Sequence, residues 1–162
     1  MPDSIPGEVL VKGDIVFMGY YKNPQATGEV LSEDGWLRTG DIGILDEDNI
    51  LFLMGRSKNM LLSGNGQNIF PEEIEVVLNS LPFVAESLVL MRQNKIHAVI
   101  VPNVNAIAEM GYDAQTVNML MEANIAKLNS RIPKYSAVNT FELRYEPFAK
   151  TPKGSIRRFL YS

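Results

Sequence analysis

Cysteine is absent from the 162 residues. Disulfides, thiolate nucleophiles and zinc–thiolate centres are therefore excluded, and the absence fits the expected location, the cytoplasm. Histidine occurs once, as His97 in the alternating run HAVIV, where it reads as a strand residue. With no second histidine and no nucleophile elbow, a Ser-His-Asp triad has no support. One histidine and scattered carboxylates do not make a metal site either. Positive charge is not in excess: the net charge is −4 and the pI about 5.0. That argues against nucleic acid as a partner, since phosphate backbones are bound by basic surfaces. No apolar run approaches the roughly 20 residues a membrane-spanning helix needs. The first residues, MPDSIPGEVLVKGD, have no basic region followed by an apolar one, so no signal peptide is expected.

What remains is an ordinary balance of 46% apolar and 21% charged residues, in a chain long enough to own a core. Short β-rich runs broken by glycines fill GEVLVKGDIVFMGY, and strands are expected near 8–12 and 14–18. A helical turn is expected at 24–30. Apolar runs at 42–45 and 50–54 flank Asp46-Glu47-Asp48-Asn49, a hairpin signal. Beyond Arg56 the pattern changes. Pro71 suits a first helical position, and Glu72 and Glu73 complement the dipole of the first turn. Ile74, Val77, Leu78 and Leu81 then mark one helix face. A second hairpin is expected from 84–91 and 96–101, around Arg92-Gln93-Asn94-Lys95. Asp113 caps a long helix with Val117, Leu120, Met121, Ile125 and Leu128 on its inner face, and Pro133 ends it. Met110, Met119 and Met121 read as packing, not as a binding stripe. Residues 137–143 suggest a last strand. The fold class expected is α+β: a β piece over 1–57, then an α+β unit over 58–162.

Three stretches carry candidate chemistry. Gly64 and Gly66 follow a basic run, but Gln67-Asn68 stands where a Walker loop needs Lys-Ser/Thr. The third glycine of a dinucleotide fingerprint is also missing, so by itself the loop reads as a turn. Asp41, in Thr39-Gly40-Asp41, either forms an ordinary turn or accepts two sugar hydroxyls. In the tail, Lys150, Lys153, Arg157 and Arg158 form either a solvated face or a cation source for phosphate or carboxylate.

Taken in order, GEVLVKGDIVFMGYYKNPQAT, GWLRTGD, GRSKNMLLSGNGQNIFPEEIE and KTPKGSIRRFLY closely resemble the last third of AMP-forming acyl-CoA synthetases. These belong to the adenylate-forming family of luciferases and amino-acid adenylation domains. The resemblance covers essentially the whole chain. The wording of GYYKNPQAT, GRSKN and QNIFPEEIE is most similar to long-chain fatty-acid–CoA ligases.

The resemblance implies a ligase that turns fatty acid, ATP and CoA into acyl-CoA, AMP and pyrophosphate. Residues 1–57 would be the trailing end of its large region. Residues 58–162 would be a lid, a small antiparallel sheet with packed helices, that rotates between an adenylating and a thioester-forming pose. Asp41 matches the aspartate that holds the ATP ribose, and Arg56 an arginine that also reaches the ribose. Lys58 falls at the hinge. Gly64, Asn65 and Gly66 match the loop lining the CoA channel, where a missing side chain leaves room for the thiol arm. The Mg²⁺ ligand, the phosphate loop and the fatty-acid tunnel would lie upstream. This chain alone is therefore expected to be inactive, and to self-associate through strand faces that the large region would cover. Peripheral membrane contact is left open for the parent.

One position departs from the family pattern. Ser155 stands where a lysine usually follows the glycine, and a hydroxyl cannot stabilise developing negative charge as an ammonium does. Lys153 is the expected substitute. Activation of an aryl or amino acid, a stand-alone non-catalytic interaction module and a nucleotide-sensing domain are the alternatives.

Overall fold

The computed structural model describes residues 5–64 and 66–161, and the chain divides into two compact units, Met1–Met60 and Leu61–Ser162.

In the first unit, β1 (Gly7–Val11), β2 (Leu37–Leu45) and β3 (Leu51–Arg56) form an antiparallel sheet with β2 in the centre. The β2–β3 hairpin forms where the apolar runs predict it. Asp46 closes it by accepting the N–H groups of Asp48 at 3.0 Å and Ile50 at 2.7 Å, the local bonding that makes Asp a turn residue. Between β1 and β2 lies α1 (Pro24–Val30), capped by the Asn23 side chain, which accepts from the Ala26 N–H at 3.0 Å. The strand expected at 14–18 does not form. The chain turns there, with the Val16 N–H donating to the Gly13 carbonyl at 3.0 Å. Ile15 and Met18 are left 91% and 98% exposed. A β-rich composition makes a strand only when a neighbouring strand and a buried face are available.

Among its described residues only Gly43 is buried. A Cβ there would meet the Phe52 carbonyl oxygen at 2.9 Å, so the strands approach closely at this point. Leu51, Phe52 and Leu53, consecutive in β3, are all exposed. By itself this unit has a sheet but no core.

The second unit has one. It opens with the short hairpin β4 (Leu61–Leu62) and β5 (Asn68–Ile69), then α2 (Pro71–Asn79), with Pro at the start and Glu72 and Glu73 in the first turn as expected. The hairpin β6 (Val84–Arg92) and β7 (Lys95–Pro102) turns through Gln93 and Asn94, both left-handed at φ 49° and 59°, the geometry that suits strand twist. Next come α3 (Val104–Met110), α4 (Ala114–Asn129) and β8 (Thr140–Leu143). The Asp113 carboxylate caps α4 through the Thr116 N–H at 2.8 Å.

The sheet has the order β6-β7-β8, and it is not wholly antiparallel: β8 runs parallel to β7, with His97 opposite Thr140. The two intervening helices return the chain to the end where β7 begins, a crossover that produces a parallel neighbour.

One face of the sheet supplies Val89, Ile96, Ala98 and Ile100 to a core completed by Ile74 and Leu78 of α2 and Met121 and Leu128 of α4. The opposite face supplies Leu88, Leu90, Val99 and Val101, covered by Phe148, Ile156 and Tyr161 of the tail. Of the three methionines, only Met121 is in the core; Met110 and Met119 are 57% and 62% exposed. On α4, Asn124 is buried as well, its amide donating to the Pro82 carbonyl at 2.8 Å.

Candidate functional site

Pairing of β2 with β3 puts Asp41 directly opposite Arg56. The Arg56 guanidinium donates from Nη1 to Asp41 Oδ1 at 2.7 Å and to the Thr39 carbonyl at 3.1 Å. Thr39 steadies the strand: its hydroxyl donates to the Val9 carbonyl at 2.9 Å and accepts from the Asp41 N–H at 3.0 Å. Carboxylate and guanidinium are therefore held side by side on a sheet, not on a free loop. Their side chains are 33% and 48% exposed, so both are open to a ligand. A carboxylate that accepts and a cation that donates form a polar pair suited to a diol, such as the hydroxyls of a ribose.

Lys58 is exposed within the 3₁₀ turn Ser57–Asn59, two residues before the division at Met60–Leu61. In the second unit, the loop from Ser63 to Gln67 is closed by two backbone bonds: Ser63 N–H to the Gln67 carbonyl, and Gly66 N–H to the Ser63 carbonyl, both 2.9 Å. Gly66 has φ 78°, a conformation that favours glycine. A Cβ on Gly64 or Gly66 would meet nothing within 4 Å. Within this chain, then, the turn itself explains Gly66, and there is open space where a side chain would stand at either glycine. Asn65 lies outside the described residues.

Lys150 and Ile156 bridge to form a small hairpin with Pro152 and Lys153 exposed at its tip. The Thr151 N–H donates to the Ser155 carbonyl at 2.8 Å and the Gly154 N–H to the Thr151 carbonyl at 2.9 Å. Ser155 is also exposed, on the returning arm. Among the described residues Lys153 enters no ion pair, whereas two of the other tail cations do. Lys150 pairs with Glu86, and Arg158 pairs with Glu75 at 2.5 Å. The tail is thus not a uniform solvated face: two of its charges are tied down and Lys153 projects.

The structure therefore joins Asp41 to Arg56 in one unit, and places the glycine loop and the Lys153 hairpin in the other. Among the described residues, no group of three His, Asp or Glu side chains could hold a metal ion, and no helix is long and apolar enough to cross a membrane.

Two charged clusters escape a reading of residue pattern. Glu75 is 8% exposed on α2, and burial pushes its carboxyl up to about 7, against the opposing pull of Arg158 and the Val89 N–H. Its trace in the sequence is its spacing: Pro71, Glu75 and Leu78 fall at i, i+4, i+7 on the buried face. His97 is also buried, its Nδ1 2.8 Å from the Thr140 hydroxyl and its Nε2 3.1 Å from Arg92. Burial and the Arg92 charge lower its pKa, partly offset by Glu142. These contacts, and that of Nε2 with Glu142 at 3.7 Å, are all with residues of the same sheet, which makes His97 a structural strand residue, as the HAVIV pattern predicts.

A family model described as the C-terminal domain of AMP-binding enzymes matches residues 58–161. Probable acyl-activating enzyme 9 of Arabidopsis thaliana is 34% identical over 155 residues, 95% of this chain and 27% of that protein. The 2-succinylbenzoate–CoA ligase of Listeria monocytogenes is 36% identical over 152 residues, 94% of this chain and 30% of that protein. Long-chain-fatty-acid–CoA ligase FadD15 of Mycobacterium tuberculosis is 42% identical over 84 residues, 52% of this chain and 14% of that protein.

Among solved structures, the adenylation domain of a Mycobacterium chelonae carboxylate reductase shares the fold at TM-score 0.87, with 23% identity over 98% of this chain and 26% of that one. ATP-bound MatB from Rhodopseudomonas palustris matches at TM-score 0.74 and 26% identity, over 99% of this chain and 30% of that one. The chain thus spans less than a third of the length of the proteins it matches.

Proposed function

The chain belongs to the family of AMP-binding enzyme C-terminal domains, and from that membership we propose that it works as the C-terminal part of an AMP-forming acyl-CoA ligase. The observation that carries this reading is the match to CoA ligases and acyl-activating enzymes along 94–95% of the chain, over 27–30% of much longer proteins.

The residues present fit a share of that chemistry. In the first half-reaction a carboxylate oxygen bonds to the α-phosphorus of ATP and pyrophosphate leaves. In the second, the CoA sulfur bonds to the acyl carbon and AMP leaves. Asp41 and Arg56 offer the acceptor and donor for the ribose hydroxyls. Lys153 offers an ammonium to the negative charge that builds on the phosphate and carboxylate oxygens. Lys58, beside the division between the two units, is the pivot. The Gly64–Gly66 loop lines the path of the CoA thiol arm. The Mg²⁺ ligand and the acyl pocket are assigned to the upstream part of the longer enzyme.

For the acid itself we infer a long-chain fatty acid, on the family wording of residues 19–27 and 67–75. Acid-dependent ATP–pyrophosphate exchange by the longer enzyme tests both levels of the reading. Exchange is expected with palmitate, well above 2-succinylbenzoate, benzoate or an amino acid. A higher rate with one of the others would sink the long-chain assignment. No exchange with any acid, from a folded enzyme, would count against the ligase.

The 162-residue chain alone is expected to be inactive and to associate with itself. With β3 exposing three consecutive large apolar residues and no core beneath them, its sheet offers a surface that water penalises. Light scattering should show mass growing with concentration; a monomer throughout a hundredfold concentration range would contradict this.

A further inference from the structure

The Lys150–Ile156 hairpin is attached to the second unit at both of its feet. Before it, Phe148 is 4% exposed against Leu88, Leu90, Val99 and Val101, and the Lys150 ammonium pairs with Glu86 of β6. After it, the Arg157 N–H donates to the Ala149 carbonyl at 2.9 Å. The Tyr161 hydroxyl accepts from the Ala149 N–H at 2.8 Å, and its ring meets Phe148 edge-on at 5.1 Å.

Arg158 supplies an attachment of another kind. Strand β6 is an edge of its sheet, and the backbone of an edge strand needs partners. At Val89 the missing neighbour is replaced by two side chains. Glu75 Oε1 accepts the Val89 N–H at 2.6 Å. Arg158 Nη1 donates to the Val89 carbonyl at 3.1 Å. Arg158 Nη2 then donates to Glu75 Oε2 at 2.5 Å, closing a ring of three bonds around one residue of the strand. Glu72 Oε1 lies 3.7 Å from Arg158 Nε.

Apolar packing alone tolerates sliding. A guanidinium bonded at once to a carboxylate and a strand carbonyl allows one register, since donors and acceptors must all be met together. We propose that Arg158, locked by Glu75 onto the edge of β6, is a positioning residue that fixes the Lys150–Ile156 hairpin and so sets where the Lys153 ammonium stands. The part given to Lys153 rests on the functional reading above; the lock itself does not. Misplacement of a charged group by about 1 Å can cost on the order of 100-fold in rate.

Amide hydrogen exchange on the 162-residue chain tests the lock without any activity. In Arg158→Ala, exchange of the Thr151, Gly154 and Arg157 amides should accelerate at least about tenfold, while Ala98 and Ile100 stay within about twofold. The double variant Glu75→Gln/Arg158→Ala removes the guanidinium without stranding a buried charge, and should loosen the same amides. Arg158→Lys keeps a cation but cannot reach both partners, so it should restore protection only in part. No acceleration in the hairpin overturns the lock. Equal acceleration in hairpin and sheet reduces Arg158 to a general structural role.

In the longer enzyme, Arg158→Ala should lower the pyrophosphate-exchange rate about 10- to 100-fold and cause no further loss once Lys153 is alanine. Additive losses would overturn action through Lys153. A wild-type enzyme without acid-dependent exchange would contradict the ligase reading, and the exchange rates of the amides would still decide the lock.

Discussion

Lys153→Ala in the longer enzyme should cut acyl-adenylate formation by about 10²–10³-fold, and leave thioester formation from supplied acyl-adenylate within about twofold. The magnitude is that of removing one preorganised donor from a site of developing negative charge. Ser155 puts a hydroxyl on the returning arm of the hairpin where the family commonly has a lysine. Two residues earlier, Lys153 sits exposed at the tip and enters no ion pair among the described residues. A cation held on a tight turn and not neutralised is available to a phosphate. Restoring the family position in the variant, as Lys153→Ala/Ser155→Lys, should recover most of the lost adenylation. Unchanged pyrophosphate exchange in Lys153→Ala would remove the lysine from the mechanism, leaving either Ser155 with a different role or a weak adenylating enzyme.

The stability of the second unit should fall as the pH rises from about 4.5 to about 7, and Glu75→Gln should abolish that portion of the slope. The Glu75 carboxyl has its ordinary value of 4.5 in the unfolded chain and about 7 in the folded one, burial being the largest cause. Below pH 4.5 it is protonated in both states. Between the two values the unfolded chain has released the proton and the folded chain still holds it, so a rise in pH favours unfolding. The accumulated loss is on the order of a few kcal/mol by pH 8. Glutamine does not titrate, so wild type minus variant should trend downward with pH. His97 acts in the opposite sense: its pKa is lowered on folding, so its contribution is lost as the pH falls below 6.5 and through the folded value. That contribution is common to both proteins and cancels in the difference. Urea midpoints at fixed pH intervals measure it. A flat difference would show that the Arg158 charge balances burial at Glu75, and a rising one that it outweighs burial.

How far the sequence leads depends on the range of the interaction involved. Asp113 and its helix, Pro71 with the two glutamates behind it, and both hairpins are local matters, settled by residues within one or two turns of each other. The Asp41–Arg56 pair was legible in part, since each was assigned to the ribose through family resemblance; that they lie opposite each other on paired strands is a fact of register.

The misses have longer reach. The run at 14–18 has strand composition but no strand beside it. The parallel placement of β8 follows from where two helices deliver the chain. Only α3 is a local miss: it has no counterpart among the expected elements although Asn103 and Gly111 cap its two ends. The Glu75–Arg158 contact spans 83 residues. Its one local sign was a carboxylate on a buried helix face, a charge in need of a partner that only the folded chain could name. The first unit gives the same lesson in reverse: its sheet is legible strand by strand, yet by itself it encloses no core.

An antibody raised against residues 61–161, used on a lysate of the source organism, gives the mass of the protein that carries this sequence. The account predicts a single species several times heavier than 18.1 kDa, because the chain matches less than a third of its relatives' length and its first unit lacks a core. A species at 18 kDa would contradict it, and the chain would have to be understood as a module acting on some other protein.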